Sequence, residues 1–329
     1  MVIYKTQEMA LLERINLRAK ADKNTGFGTN ASSYGGRFVN KNGSANVEKQ
    51  GMPILQRISW YHTMIDMAVW RFMLIVLSFY VSINFIFATI YYVIGIEHLD
   101  GITSTDSEWV KFGQAYFFSA QTFTTVGYGH ISPTGFLTSA LSAAEALIGL
   151  LSFAIATGLF FGRFSKPTAF LKFSHNAVIA PYGDISGLMI RLTPYKNTNF
   201  TDAEAKITLG MSVEENGKKV NKFYALDLEL EKVNALPLSW TLVHPITEES
   251  PLYQFTKDDF ANTQGEILVF VKTFDDMFSN TVATRTSYIF EEVIYGAKFE
   301  PMYTRSTDNS KTILYLDKLN SFEDAPLKG

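Results

Sequence analysis

The chain has 329 residues, a formal net charge of -3 and no cysteine, and 47% of its residues are hydrophobic. The length suggests roughly two domains. The mild charge argues against nucleic acid as a partner, and the lack of thiols excludes a disulfide framework or a thiolate metal site.

Residues 1–50 are polar, with clusters such as Asn24-Thr25-Gly26, Ser32-Ser33-Tyr34-Gly35-Gly36 and Asn42-Gly43-Ser44. They lack a sustained periodicity and read as a flexible N-terminal tail. No basic start with a short apolar core and small-residue cleavage site is present, so no cleaved signal peptide is expected. Pro53 suits the first position of a helix. Behind it Ile54, Ile58, Tyr61 and Ile65 recur on one helical face, accompanied by Arg57, His62 and Asp66. A short amphipathic helix ahead of a membrane span is expected to lie in the interface.

The stretch from Phe72 to Ile96 carries no charged side chain. At about 1.5 Å per residue it can cross a hydrocarbon core of about 30 Å. Trp70, Tyr91 and Tyr92 lie near its ends, where aromatic belts form. A second span is expected from Phe136 to Phe161. It holds one ionisable residue, Glu145, and small residues (Ala143, Ala144, Gly149, Ala154, Ala156, Gly158) that allow close helix packing. The loop between the spans begins acidic, with Glu97, Asp100, Asp106 and Glu108. It continues as an apolar stretch, Phe112 to Thr122, too short to span and suited to a re-entrant helix. Arg57 and Arg71 precede the first span, and Arg163, Lys166 and Lys172 follow the second. The positive-inside rule then predicts cytoplasmic termini and an external loop.

Beyond Lys172 the period becomes two. Ala205, Ile207, Leu209, Met211 and Val213 alternate with polar or small residues; Asn216-Gly217 follows as a hairpin signal; Tyr224, Leu226, Leu228 and Leu230 form the return strand. Glu266 to Phe274 reads as a nearly continuous apolar strand, buried on both faces. Several such strands predict a β-sandwich of about 130 residues. No helices alternate with them and no G-x-G-x-x-G is present, which counts against a dinucleotide-binding domain.

Directly after the re-entrant stretch comes Thr124-Thr125-Val126-Gly127-Tyr128-Gly129. A dehydrating K⁺ ion needs closely spaced oxygens to replace its water. One extended strand offers them only if successive carbonyls face one axis, which requires alternating backbone handedness. Gly127 and Gly129 reach positive φ without steric cost. Thr125 adds a hydroxyl ligand, and Val126 and Tyr128 brace the strand. One strand cannot surround an ion whereas four can, so a homotetramer is expected with K⁺ held at Thr125, Val126, Gly127 and Tyr128 and no organic cofactor.

With that motif, the sequence resembles the inward-rectifier potassium channels, in particular their prokaryotic branch. Phe173-Ser174-His175-Asn176-Ala177-Val178-Ile179-Ala180 is similar to the family's first cytoplasmic segment. Trp240 to Ile246 with Ser250-Pro251-Leu252-Tyr253, and Thr284 to Tyr288 through Phe299-Glu300-Pro301, resemble two further blocks. The likeness covers roughly residues 50 to 305. It lacks the extracellular cysteine pair and the post-filter arginine of animal members; His130 and Ile131 follow Gly129 instead.

The resemblance implies a potassium channel of the inner (plasma) membrane and a mixed architecture, membrane α plus all-β. The expected domains are a tail (1–50), a slide helix with the transmembrane pore (51–167), an immunoglobulin-like cytoplasmic sandwich (168–305) and a C-terminal tail (306–329). It places Phe161 at the bundle crossing as a gate, the alternative being lipid-facing or interhelical packing of Phe160 and Phe161. Glu145 either braces the filter from behind or faces the central cavity. Arg57, Arg163, Lys166 and Lys172 form a basic cluster suited to anionic phosphoinositides; these lipids inhibit related prokaryotic channels and activate animal ones. Strong rectification arises from block by Mg²⁺ or polyamines at acidic pore residues. Counted back from Lys166-Pro167, that position is Phe153, so weak rectification is expected; Asp275 and Asp276 are further acidic candidates. The histidines lack metal-ligand spacing and no nucleophile–base constellation occurs, so no enzyme active site is expected.

Overall fold

The computed structural model describes residues 37–103, 107–215 and 218–327. The chain divides into two units: Gln50–Lys166, and the segment ending at Lys49 together with Pro167 onward.

In the first unit two short helices, α1 (Ile54–Arg57) and α2 (Trp60–Asp66), precede a 26-residue helix, α3 (Val69–Ile94). A single helix through residues 54–65 is therefore corrected to a broken pair. Ser59 interrupts it, adopting an extended backbone (φ -87°, ψ 103°) and pairing its hydroxyl with His62 Nδ1 at 2.8 Å. Serine competes with the helical backbone through such local bonds. Gly95, at φ 122°, ends α3. The 16-residue helix α4 (Glu108–Phe123) follows, and the 29-residue helix α5 (Phe136–Phe164) begins after Gly135 at φ 85°. Of these, α3 and α5 are long and apolar enough to cross a membrane. Leu99-Asp100 pairs antiparallel with Ser132-Pro133 and closes the loop between them.

The second unit is built on two five-stranded sheets. Its strands are β1 (Leu171–Phe173), β2 (Ala177–Tyr182), β3 (Ile185–Pro194), β4 (Phe200–Glu215), β5 (Lys218–Leu226), β6 (Lys232–Ala235), β7 (Trp240–Ile246), β8 (Gly265–Asp275), β9 (Asn280–Ile289) and β10 (Val293–Tyr295). One sheet runs β9-β8-β4-β5 with β6 also on β4; the other runs β10-β2-β3-β1 with β7 also on β3. Register aligns the apolar residues in rows: Ile267 faces Leu209, which faces Tyr224, and Val269 faces Ile207, which faces Leu226. These rows share one buried core with Leu188, Ile190, Leu192 and Leu242 of the second sheet. Period-two patterning thus produces the two layers.

Two strand expectations change. β5 ends at Leu226, so Leu228 and Leu230 lie beyond it, and Leu230 is exposed. β8 buries one face along its length, with Ile267, Val269 and Val271 inward; the other face is buried only at Glu266, and Phe270 and Phe274 on it are exposed. An apolar run had hidden that alternation. The Asn216-Gly217 hairpin signal lies outside the described residues.

Both expected tails are corrected where they are described. Residues 37–46 dock on β8 and β9 through side-chain bonds to their backbone. The buried Glu266 carboxylate accepts from the amides of Phe38 (2.6 Å) and Val39 (3.1 Å), and Thr286 and Ser287 donate to the carbonyls of Lys41 and Val39. Such anchors use main-chain atoms, which no composition reveals. At the other end, β11 (Ala297–Phe299) pairs with β14 (Phe322–Asp324), and β12 (Tyr303–Arg305) with β13 (Thr312–Leu314). Buried Arg191 on β3 donates to the carbonyls of Glu300, Lys318, Leu319 and Ser321 and stacks on Phe299 at 4.5 Å. A buried guanidinium must have its donors satisfied, and here the C-terminal segment supplies the acceptors.

Candidate pore and selectivity site

The site is carried by α4 and the loop that leaves it. Ser107 precedes the helix and Thr124 ends it, its hydroxyl donating to the Ala120 carbonyl at 2.7 Å. The loop folds back on the helix terminus: Thr125 N donates to Thr122 O (3.0 Å), and Val126 N and Gly127 N both donate to Gln121 O (3.0 and 3.3 Å). Terminal carbonyls of a helix lack intrahelical partners, and these two receive amides from the loop itself.

Positive φ recurs at every second residue: 60° at Thr125, 53° at Gly127 and 76° at Gly129. Glycine reaches this region freely. Threonine does not, and a β-branched residue at positive φ is a strained outlier of the kind that clusters at functional sites. Sequence reasoning assigned alternation to the glycines and missed that Thr125 extends it.

Behind the loop, Glu145 on α5 is fully buried. Its carboxylate accepts from Tyr91 Oη of α3 at 2.7 Å and from Ser119 Oγ of α4. Ser119 Oγ also lies 3.1 Å from Asn84 Oδ1, and Asn84 Nδ2 donates to Tyr80 O at 2.7 Å. This network joins all three long helices of the unit. Tyr91, expected in an interfacial belt, is instead buried against Phe118, with ring centroids 5.1 Å apart. Ser119 and Asn84 were not singled out from sequence, and Tyr91 was read there only as a belt aromatic. The available signal was the amide of Asn84 inside an otherwise apolar span.

Phe153 lies on α5 with 73% of its surface exposed and lines, with Thr124, Thr125 and Gly149, a cavity of about 320 Å³. Toward the end of the same helix, Phe160 packs edge-on against Phe72 at 5.1 Å, whereas Phe161 is 73% exposed. The basic residues separate. Arg163 donates to the carbonyls of Met64 (3.0 Å), Ile65 (3.1 Å) and Met67, and Lys166 pairs with Asp66. Both are thereby tied to the end of α2. Arg57 is exposed at the end of α1. Lys172 belongs to the other unit, where its ammonium lies 5.0 Å from the Tyr195 ring centre.

Two long apolar helices enclosing a shorter helix and a loop of alternating handedness define an ion-channel unit, and residues 79–166 match the "Ion channel" family model. Residues 171–325 match the "Inward rectifier potassium channel C-terminal domain". The chain is 31% identical over 284 residues to inward rectifier potassium channel Kirbac3.1 of Paramagnetospirillum magnetotacticum, covering 84% of this chain and 92% of that protein. It is 27% identical to inward rectifier potassium channel irk-1 of Caenorhabditis elegans, covering 87% of this chain and 56% of the relative. It is also 27% identical to ATP-sensitive inward rectifier potassium channel 12 of Bos taurus, covering 81% and 67% respectively. The chain belongs to the inward-rectifier potassium channel family, of prokaryotic type. It is a channel protein and not an enzyme.

Proposed function

We infer that four copies of this chain surround the Thr125–Gly129 loop and conduct K⁺ passively across the inner (plasma) membrane, with both termini cytoplasmic. The observation that carries this reading is the alternation of positive φ at Thr125, Gly127 and Gly129 directly after α4. In this reading α4 is the re-entrant pore helix, α1 and α2 form the interfacial slide helix, and the two-sheet unit is an immunoglobulin-like cytoplasmic domain. Val126 and Tyr128 brace the ring. Glu145 supports it from behind, since its carboxylate is taken up by Tyr91 and Ser119. The purified protein is expected as a tetramer that takes up Rb⁺ far faster than Na⁺ into proteoliposomes. Equal uptake of the two ions would defeat the reading.

Phe161 is the proposed gate, with Phe160 serving as packing. Four exposed rings at one narrow level form a barrier that closes by dewetting. Phe161→Ala should raise open probability in single-channel records; unchanged gating moves the gate elsewhere on α5.

The lipid reading rests on Arg57, Arg163 and Lys166 of the first unit, each basic residue near an anionic leaflet contributing on the order of 1 kcal/mol. Because Arg163 and Lys166 also hold α2, a phosphoinositide headgroup competing for them would loosen that attachment. Inhibition is the expected response. The double variant Arg57→Gln/Lys166→Gln should lose most inhibition by phosphoinositide-doped vesicles; a parental response would reduce the cluster to a topology signal.

A further inference from the structure

We propose that Gly149 is a selectivity-positioning residue: its missing side chain sets the height of the pore helix from which the filter hangs. The proposal rests on the channel reading above and extends it to a backbone contact. An ideal Cβ built on Gly149 would lie 1.9 Å from the carbonyl oxygen of Phe123, 2.8 Å from its carbonyl carbon and 3.1 Å from its Cα. Carbon and oxygen approach no closer than about 3.3 Å even in favourable C–H···O contacts. A methyl at this position therefore forces the end of α4 and α5 apart by more than about 1 Å. The obstacle is main chain, so no rotamer change relieves it. Phe123 is the last residue of α4, and Thr124 and Thr125 follow it directly.

A second contact fixes the geometry one helical turn away. Glu145 lies four residues before Gly149 on α5, and Ser119 lies four residues before Phe123 on α4. Residues four apart share a helix face, so the two helices meet along facing rows. At one turn Ser119 Oγ donates to Glu145; at the next the Phe123 carbonyl rests on Gly149. The hydrogen bond and the backbone contact together set position and tilt. A methyl at the second level pivots α4 about the first, and the displacement falls on the filter. A glycine serving only as a flexible point in α5 would act differently. Its replacement would change how often the pore opens but not which ion passes.

Gly158 supplies the control, because it lies on the same helix and an added Cβ there meets nothing within 4 Å among the described residues. The experiment compares Rb⁺ and Na⁺ uptake into proteoliposomes by the full-length parent, Gly149→Ala and Gly158→Ala proteins, each first checked for tetrameric size. The Rb⁺/Na⁺ ratio should fall roughly tenfold or more in Gly149→Ala, because displacing a positioned group by about 1 Å commonly costs that much. Gly158→Ala should keep the parental ratio. A tetrameric Gly149→Ala protein with parental selectivity, or an equal loss in both variants, would overturn the proposal. If the Gly149→Ala homotetramer does not assemble, a tandem dimer joining one parent and one Gly149→Ala copy takes its place. It should show an intermediate loss of selectivity, and a parental ratio would again overturn the inference. A parent protein that fails to discriminate Rb⁺ from Na⁺ would instead refute the underlying channel reading.

Discussion

Gly127→Ala is expected to abolish selective Rb⁺ uptake while leaving a folded protein. The residue sits at φ 53°, and an added Cβ would meet nothing within 4 Å among the described residues. The objection to a side chain is therefore conformational and not a clash within the subunit. Holding an L-residue in the left-handed region costs about 1–2 kcal/mol. Repeated in four subunits, that is about 4–8 kcal/mol per pore. The loop has little reserve to absorb it, since Thr125 already carries a β-branched side chain at φ 60°. The cheaper response is for residue 127 to return to negative φ, which turns the preceding carbonyl away from the axis. The ion then loses a ring of oxygens and its dehydration is no longer compensated. Rb⁺ uptake into proteoliposomes is the measurement. Selective uptake at the parental rate would mean that the alternation at Thr125, Gly127 and Gly129 is not what holds the ion.

The loop itself was legible because its chemistry resides in residue type. Glycine at alternate positions after an apolar half-length stretch has few other uses, and the two flanking spans announce themselves by length and lack of charge. Sheet faces were legible where polar and apolar residues alternate cleanly, as over Ala205 to Met211. They were not legible over Glu266 to Phe274, where Phe270 and Phe274 are apolar yet exposed on a face that is buried only at Glu266. Contacts that use main-chain atoms were invisible. The docking of residues 37–46, the carbonyl set around Arg191 and the seat of Phe123 on Gly149 all involve groups every residue possesses. Glu145 was visible as an unusual charge, but the partners of its carboxylate were not. Tyr91 and Ser119, far apart in sequence, supply those partners.

Phe153→Asp should convert a weakly rectifying channel into one steeply blocked by internal spermine. A polycation entering the pore from the cytoplasm is retained only if fixed negative charge faces it. Phe153 offers none, although it is 73% exposed and lines the same cavity as Thr124 and Thr125. Glu145 cannot take its place while its carboxylate is buried and engaged by Tyr91 and Ser119. Elsewhere, Asp276 accepts a hydrogen bond from Thr201 at 3.1 Å, and Asp275 is buried with one carboxylate oxygen taken by Met277 N at 3.0 Å. Asp275 is withdrawn from solvent, and Asp276, although exposed, lies on the two-sheet unit and not on α5. An aspartate at 153 would place four carboxylates at one level of the assembled pore. A pair of unit charges 4 Å apart is worth about 4 kcal/mol at an effective dielectric of 20, and each further ammonium on the blocker adds to it. Because the blocker must cross part of the membrane field to reach that level, its occupancy should rise steeply with depolarisation. Currents recorded with and without internal spermine test this in parent and variant. The parent should conduct outward current nearly unchanged, and the variant should lose it at positive voltage. Strong block already present in the parent and unaltered by Phe153→Asp would move the polyamine site to Asp275 and Asp276, or require Glu145 to leave its partners and face the cavity.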